Sequence, residues 1–185
     1  MRNKQRTAAI ILLAGAACLA PAGMAAADPV EQEITPTYVQ TSSVLYEPGY
    51  DHGGWNVYDY DMTTAWSEGA NGQGIGEYII LGVPDGSTIT GGWISPGYCK
   101  TESLFYKNGA PTKLELTTGD QTTVIDLGGA ANWYPTATGG VSFKLPQPVE
   151  CYGEVFFNLR EGRPGSASAD TCISEIHLTG YPAES

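Results

Sequence analysis

The chain has 185 residues, with 20 acidic and nine basic side chains and a formal net charge of −11. That balance excludes nucleic acid and anionic membrane surfaces as partners, because both are bound through positive charge. The length suits one domain with a real core, burying roughly two thirds of its unfolded surface.

Residues 1–27 have the three parts of a secretory leader. "MRNKQR" is basic, "TAAIILLAGAACLAPAGMA" is apolar, and small residues at Ala25 and Ala27 precede Asp28-Pro29, so cleavage is expected after Ala27. A membrane span does not fit, since Pro21 and Gly23 break an apolar run already shorter than the roughly 20 residues a helix needs. Cys18 does not read as a lipid anchor, because Gly15 stands three residues before it instead of a leucine. The chain is therefore expected to be secreted, either free or held at a cell surface, and not to be an integral membrane protein. Losing Arg2, Lys4 and Arg6 with the leader leaves six bases against 20 acids, a net charge of −14. Most of that charge reads as solubility outside the cell.

Residues 28–185 show no linker and no internal repeat, which makes one domain. "PTYVQTSSVLY" reads as one edge strand and "GYDHGGWNVYDY" as turns, with His52 a solvated loop histidine. Residues 59–78, "DYDMTTAWSEGANGQGIGEY", hold too much glycine for a strand and predict a long shaped loop, the kind of segment that carries binding on a rigid scaffold. Trp66 within it is either a ligand platform or a core plug. "YIILGV" follows as a strand closed by "PDGS", then "TITGGWIS" closed by "PGYCKTES". "LFYKNG" ends in an Asn-Gly hairpin signal, and "TKLELTTGDQTTVIDLGG" reads as two strands around "TGDQ". "GVSFKL" stops at "PQP", "EVFFNLRE" at "GRPGSASAD", and "CISEIHLTGY" comes last. No helical periodicity appears after the leader. Short β-branched and aromatic runs at intervals of about 8–12 residues predict an all-β sandwich.

Several signals lead nowhere. "GQGIG" lacks the glycine spacing and the βαβ unit of a dinucleotide site. Ser174 and His177 lie on opposite faces of one strand and cannot act as nucleophile and base. Cys99, Cys151 and Cys172 form no zinc pattern, and their odd number leaves one thiol over in an exported protein.

Four separated stretches, "DYDMTTAWSEG", "GIGEYI", "ISPGYCKTESLFYKNG" and "DTCISEIHLTGY", together resemble the discoidin-like glycan-binding domain attached to some bacterial NAD glycohydrolases. The likeness covers about residues 35–181 and extends, more distantly, to the galactose-binding superfamily. It implies a jelly-roll β-sandwich with ligand loops gathered at one end, and binding without hydrolysis. "GYDHGGWNVYDYD" departs from the family's plainer loop, and these 185 residues are read as carrying no glycohydrolase domain of their own.

Sugars offer an apolar face to aromatic rings and a rim of hydroxyls to fixed polar groups. Trp66, Glu68, Tyr98, Lys100, Tyr106 and Asn108 supply those types, so a cell-surface glycan or glycoprotein is the expected partner. A protein-binding adhesion or toxin-accessory module would use the same loops, and a small glycosidase would pair Glu68 with Asp61 or Glu175. No cofactor is certain. For calcium two alternatives stay open: Asp59, Asp61, Thr64 and Glu175 converge on the ion, or Glu175 bonds loop amides without metal. In the implied sandwich Cys99 and Cys172 fall at the loop end and Cys151 at the other, so a Cys99–Cys172 disulfide is expected with Cys151 free. The sequence does not fix the oligomeric state.

Overall fold

The computed structural model describes residues 30–135 and 140–183, so the expected leader lies outside the described residues. Two antiparallel five-stranded sheets form a jelly-roll sandwich. One sheet runs β1 (Gln32–Ile34), β10 (Cys172–Tyr181), β5 (Ser87–Pro96) and β8 (Val141–Cys151), with the two-residue β3 (Trp66–Ser67) also pairing with β10. The other runs β2 (Tyr38–Thr41), β4 (Tyr78–Gly82), β9 (Glu154–Arg163), β6 (Ala110–Thr118) and β7 (Gln121–Asp126).

The core follows from alternation along the strands. In β9, Val155, Phe157 and Leu159 point inward while Phe156 and Asn158 do not, as the period of two requires. Leu114 and Leu116 of β6 and Ile79 and Leu81 of β4 join them, facing Ile89 and Ile94 of β5 and Ile176 and Leu178 of β10. Each such side chain contributes roughly 1.5–3 kcal/mol by leaving water. β10 is the axis of its sheet and is buried on both faces up to Leu178. Its outer face is covered by the loop that ends at β3.

Three elements differ from the sequence expectation. "LFYKNG" is not a hairpin strand but the end of a short helix, α1 (Glu102–Lys107). Thr101 caps it by accepting from the Leu104 N–H at 3.1 Å, and Asn108 Nδ2 donates to Leu104 O at 2.9 Å. Six residues are too few to show a helical period. β8 continues through "PQP" rather than stopping there. β8 lies at a sheet edge, where proline removes no ladder bond, and a bulge takes up the extra residues, with Ile89 opposite Val149 and Gly91 opposite Lys144. The single strand expected over 36–46 is only four residues long, because from Ser42 onward the chain leaves the sheet to join the loops.

The expected Cys99–Cys172 disulfide is not formed. Cys99 and Cys172 do lie at one end and Cys151 at the other, but all three are free and buried. The thiols are held within their own surroundings: Cys99 Sγ lies 3.7 Å from Pro96 O and Gly97 O, and Cys172 Sγ lies 3.3 Å from Ser67 Oγ. Burial pushes the Cys99 thiol up to about 11 and the Cys172 thiol up to about 12, which keeps both unreactive. The folded chain beginning at Asp28 is therefore expected to be silent to a thiol reagent at pH 7 and to titrate three thiols once unfolded. Its melting temperature should not change when reductant is added.

Candidate functional site

Both ends of the sandwich carry turns, but they differ in size. At one end the turns are tight, with Gly86, Gly119 and Gly153 at positive φ. At the other end gather residues 42–77, the segment from Gly97 to Gly109 that includes α1, and residues 164–171 before β10.

Glu68 locks these segments to one another. It is fully buried. Its Oε2 accepts from the Ala70 N–H at 2.7 Å and its Oε1 from the Thr171 N–H at 3.1 Å. Burial raises its pKa, the two amides oppose that shift, and Asp170 and Glu77 add to it. Gly74, at φ +62°, closes the loop over this carboxylate; a Cβ there would lie 2.5 Å from the Glu68 carboxyl carbon. Trp66 is the core plug and not a platform: it is 1% exposed and donates from Nε1 to Ser43 O at 2.9 Å. Arg163 fastens α1 from behind, donating to Asn108 O at 2.8 Å, to Phe105 O at 2.9 Å and to Ala131 O, with its guanidinium 4.7 Å from the Phe105 ring centre.

Between these segments lies a pocket of about 300 Å³. The stretch before the glycine-rich loop supplies Leu45, Glu47, Tyr50 and His52, and the α1 segment supplies Tyr98, Lys100, Leu104, Lys107 and Asn108. Ser67 and Cys172 also line it. His52 is 6% exposed, with Nε2 3.2 Å from Glu47 Oε2. Its ring stacks on Tyr50 at 6.3 Å and meets the edge of Tyr98 at 6.2 Å. Burial pushes the Tyr98 phenol up, and the nearby Cys172, Tyr50, Glu47 and Asp61 add to it, so Tyr98 stays a hydrogen-bond donor at neutral pH.

Of the six residues expected to bind ligand, Tyr98, Lys100 and Asn108 line this pocket and Trp66, Glu68 and Tyr106 do not. Tyr106 is half exposed on α1, with its hydroxyl 3.4 Å from the Tyr134 N–H. Glu47, Tyr50, His52 and Lys107 were not foreseen, and His52 is not the solvated residue the sequence suggested. The available signal was the aromatic-rich "GYDHGGWNVYDY", read there as turns.

The proposed calcium ligands are only partly brought together. Asp59 Oδ2 accepts from Thr64 Oγ1 at 2.7 Å, and Asp61 Oδ1 turns to the Thr63 N–H at 2.8 Å. Among the described residues no group of three or more histidine, cysteine, aspartate or glutamate side chains is placed to hold a metal ion. Glu175, 1% exposed, faces His177 instead.

That histidine centres a second cluster, on the outer face of β10. Its Nδ1 lies 2.6 Å from Glu33 Oε1 and its Nε2 2.9 Å from Glu175 Oε2, an arrangement the protonated ring satisfies at both nitrogens. Trp93 stacks on it at 4.1 Å, nearly parallel at 7°, and Tyr58 and Tyr60 pack around it. Burial lowers the His177 pKa, but the hydrogen bonds and charges of Glu175 and Glu33 outweigh it and hold the pKa above the usual value. Burial also works to raise Glu33, yet bonds from Tyr60, His177 and Tyr58 hold it low. Burial, with the charge of Asp59, pushes Glu175 up.

Residues 32–179 match the family of NAD glycohydrolase translocation F5/8 type C domains. The chain belongs to that family. No curated protein matches it in sequence. Among solved structures, this F5/8 type C domain is similar to arabinofuranosyltransferase AftD from Mycobacteria, with a TM-score of 0.56 at 18% identity, covering 82% of this chain and 11% of that one. The domain thus spans about a tenth of that enzyme's length. It is also similar to the family 32 carbohydrate-binding module from C. perfringens NanJ in complex with galactose, with a TM-score of 0.53 at 15% identity, covering 81% and 99% of the two chains. An F5/8 type C domain from Bacteroides fragilis gives a TM-score of 0.55 at 13% identity, covering 78% and 91%. At such identities the likeness establishes the β-sandwich fold. Among the described residues no helix is long and apolar enough to cross a membrane.

Two outcomes follow from this geometry. Glu68→Ala should lower stability by about 2–4 kcal/mol in denaturant unfolding, because it strands two amides at a buried junction. For His177, a pKa raised on folding contributes stability that is complete below the unfolded value of about 6.5 and fades as pH rises through the folded one. The destabilisation caused by His177→Asn should therefore be largest near pH 6 and shrink toward pH 9. Glu33 and Glu175 lose their His177 partner in the variant and so titrate higher there, while Tyr58 and Tyr60 keep their bonds to Glu33 in both proteins.

Proposed function

We propose that this F5/8 type C domain is a secreted, non-catalytic glycan-binding module and that the loop-end pocket is its site. The observation that carries this reading is the pocket's make-up. Tyr50 and Tyr98 bring aromatic rings to one about 300 Å³ recess whose lining includes Glu47, Lys100 and Asn108. Rings suit the apolar face of a sugar, and the fixed polar groups suit its hydroxyls. The galactose-bound NanJ module and a pectin-binding module, similar at a TM-score of 0.52 and 14% identity over 78% of this chain, support a carbohydrate partner. A glycan or glycoprotein at a cell surface is the partner this implies. Residues 1–27, as a leader removed after Ala27, would deliver the domain there.

Non-catalysis rests on the placement of the acids. Glycosidases work with a pair of carboxylates across the scissile bond. Glu47 is the one carboxylate among the residues lining this pocket, while Glu68, Asp61 and Glu175 line none of it. Glu68 is committed to two backbone amides and Glu175 to His177.

The test is a glycan array with the chain from Asp28 onward, followed by titration of the best glycan against Tyr98→Ala. Binding should fall at least tenfold, as for an aromatic at the centre of a recognition site, with the melting temperature nearly unchanged because Tyr98 is a half-buried loop residue. Loss of fold together with binding would make Tyr98 structural and remove the site from this pocket.

A further inference from the structure

We infer that the glycan this pocket takes is an acidic one, carrying a carboxylate or sulfate group that sits between Lys100 and Lys107. The inference rests on the glycan reading above and narrows it to a chemical class.

It comes from where this chain places its few cations. Residues 28–185 hold six lysines and arginines among 20 acids. Lys113 is paired with Glu161 at 2.9 Å, and Arg160 is paired with Glu115. Arg163 gives its guanidinium to three backbone carbonyls. Among the described residues, Lys100, Lys107 and Lys144 have no carboxylate within ion-pairing distance; Lys144 is exposed on β8 and does not line the pocket, whereas Lys100 and Lys107 both line the same recess. Lys100 comes from the loop after β5 and Lys107 from the last turn of α1, so two different backbone segments bring the ammonium groups to one place.

An isolated exposed lysine calls for no explanation. Two unpaired lysines in one pocket do, in a chain with this excess of acid, where a carboxylate partner would be easy to supply. The neighbouring acids are otherwise engaged. Glu47 faces His52 at 3.2 Å, and Asp61, which feels the Lys100 charge, accepts from the Thr63 N–H at 2.8 Å. A neutral sugar needs hydroxyl partners and gains nothing particular from two positive charges. An acidic sugar supplies the missing counter-charge. The chain's excess of acid disfavours acidic ligands elsewhere, which makes the two lysines a device of specificity as well as affinity.

The experiment uses matched pairs that differ only in charge: a galacturonic acid trimer against its methyl ester, sialyllactose against lactose, and galactose 6-sulfate against galactose. Binding of each is measured by calorimetry to the chain from Asp28 onward. At least one acidic member should bind tenfold or more tighter than its neutral partner, and that preference should shrink as salt rises from about 50 to 500 mM. Lys100→Met with Lys107→Met should abolish the preference, while Lys100→Arg with Lys107→Arg should retain most of it, with melting curves confirming the fold of each. Equal binding of neutral and acidic members would overturn the acidic-ligand inference and leave the glycan pocket standing. An acidic preference that survives the double methionine variant would overturn the role of these lysines. No binding by any member up to 10 mM would overturn the inference and count against the glycan reading itself.

Discussion

Glu68 lies fully buried where the glycine-rich loop meets the residue before β10, and its two oxygens take amides from both sides of that junction. The arrangement of the whole loop end depends on this contact. With residue 68 fixed, β3 pairs with Cys172 and Ile173, and Trp66 is set into the core. The Trp66 indole Nε1 in turn donates to Ser43 O, and Ser67 O accepts from the Leu45 N–H, at 2.9 Å each. Residues 45–52 are thereby placed opposite the α1 segment, which Arg163 secures from the other side. A carboxylate that had looked available to a sugar is instead the reason the sugar site has walls.

The preceding loop thus has two roles at two places. Its start, at Glu47 to His52, forms one wall of the pocket. Further on, Tyr58 and Tyr60 cover the outer face of β10, where Glu33, His177, Glu175 and Trp93 form a closed polar cluster. That cluster pairs both His177 nitrogens in the buried middle of the sheet's central strand and fixes the N-terminal strand β1 to it, because Glu33 belongs to β1. It keeps Glu33 and Glu175 out of the pocket, whose lining includes two tyrosines, one histidine, two lysines and a single carboxylate, Glu47.

Much of the fold was legible in the sequence because strand alternation is local. β4, β5, β6, β7, β9 and β10 follow runs whose apolar residues recur at every second position or between plain turn signals. Long-range effects were not legible. Pro146 and Pro148 ended the expected strand, although at a sheet edge the strand passes through them. The hairpin signal of Asn108-Gly109 outweighed Thr101, the cap of a helix too short to show a period. At the site, Tyr98, Lys100 and Asn108 could be found because they sit in a loop with no apolar pattern to bury them. Trp66 and Glu68 misled because loop position says nothing of burial: one fills the core and the other bonds to amides 2 and 103 positions away in sequence. For His52 the aromatic-rich stretch around it was the only signal, since its burial also depends on Tyr98 arriving from a separate segment.

The central claim is that ligand enters the loop-end pocket and not the aromatic cluster on the outer face of β10. Nuclear magnetic resonance of the labelled domain during titration with its best glycan tests this most directly. The account predicts that shifts concentrate at Tyr50, His52, Tyr98, Lys100 and Asn108, while Trp93 and His177 stay in place. Shifts centred on Trp93, Tyr60 and His177, with the pocket residues unmoved, would contradict it.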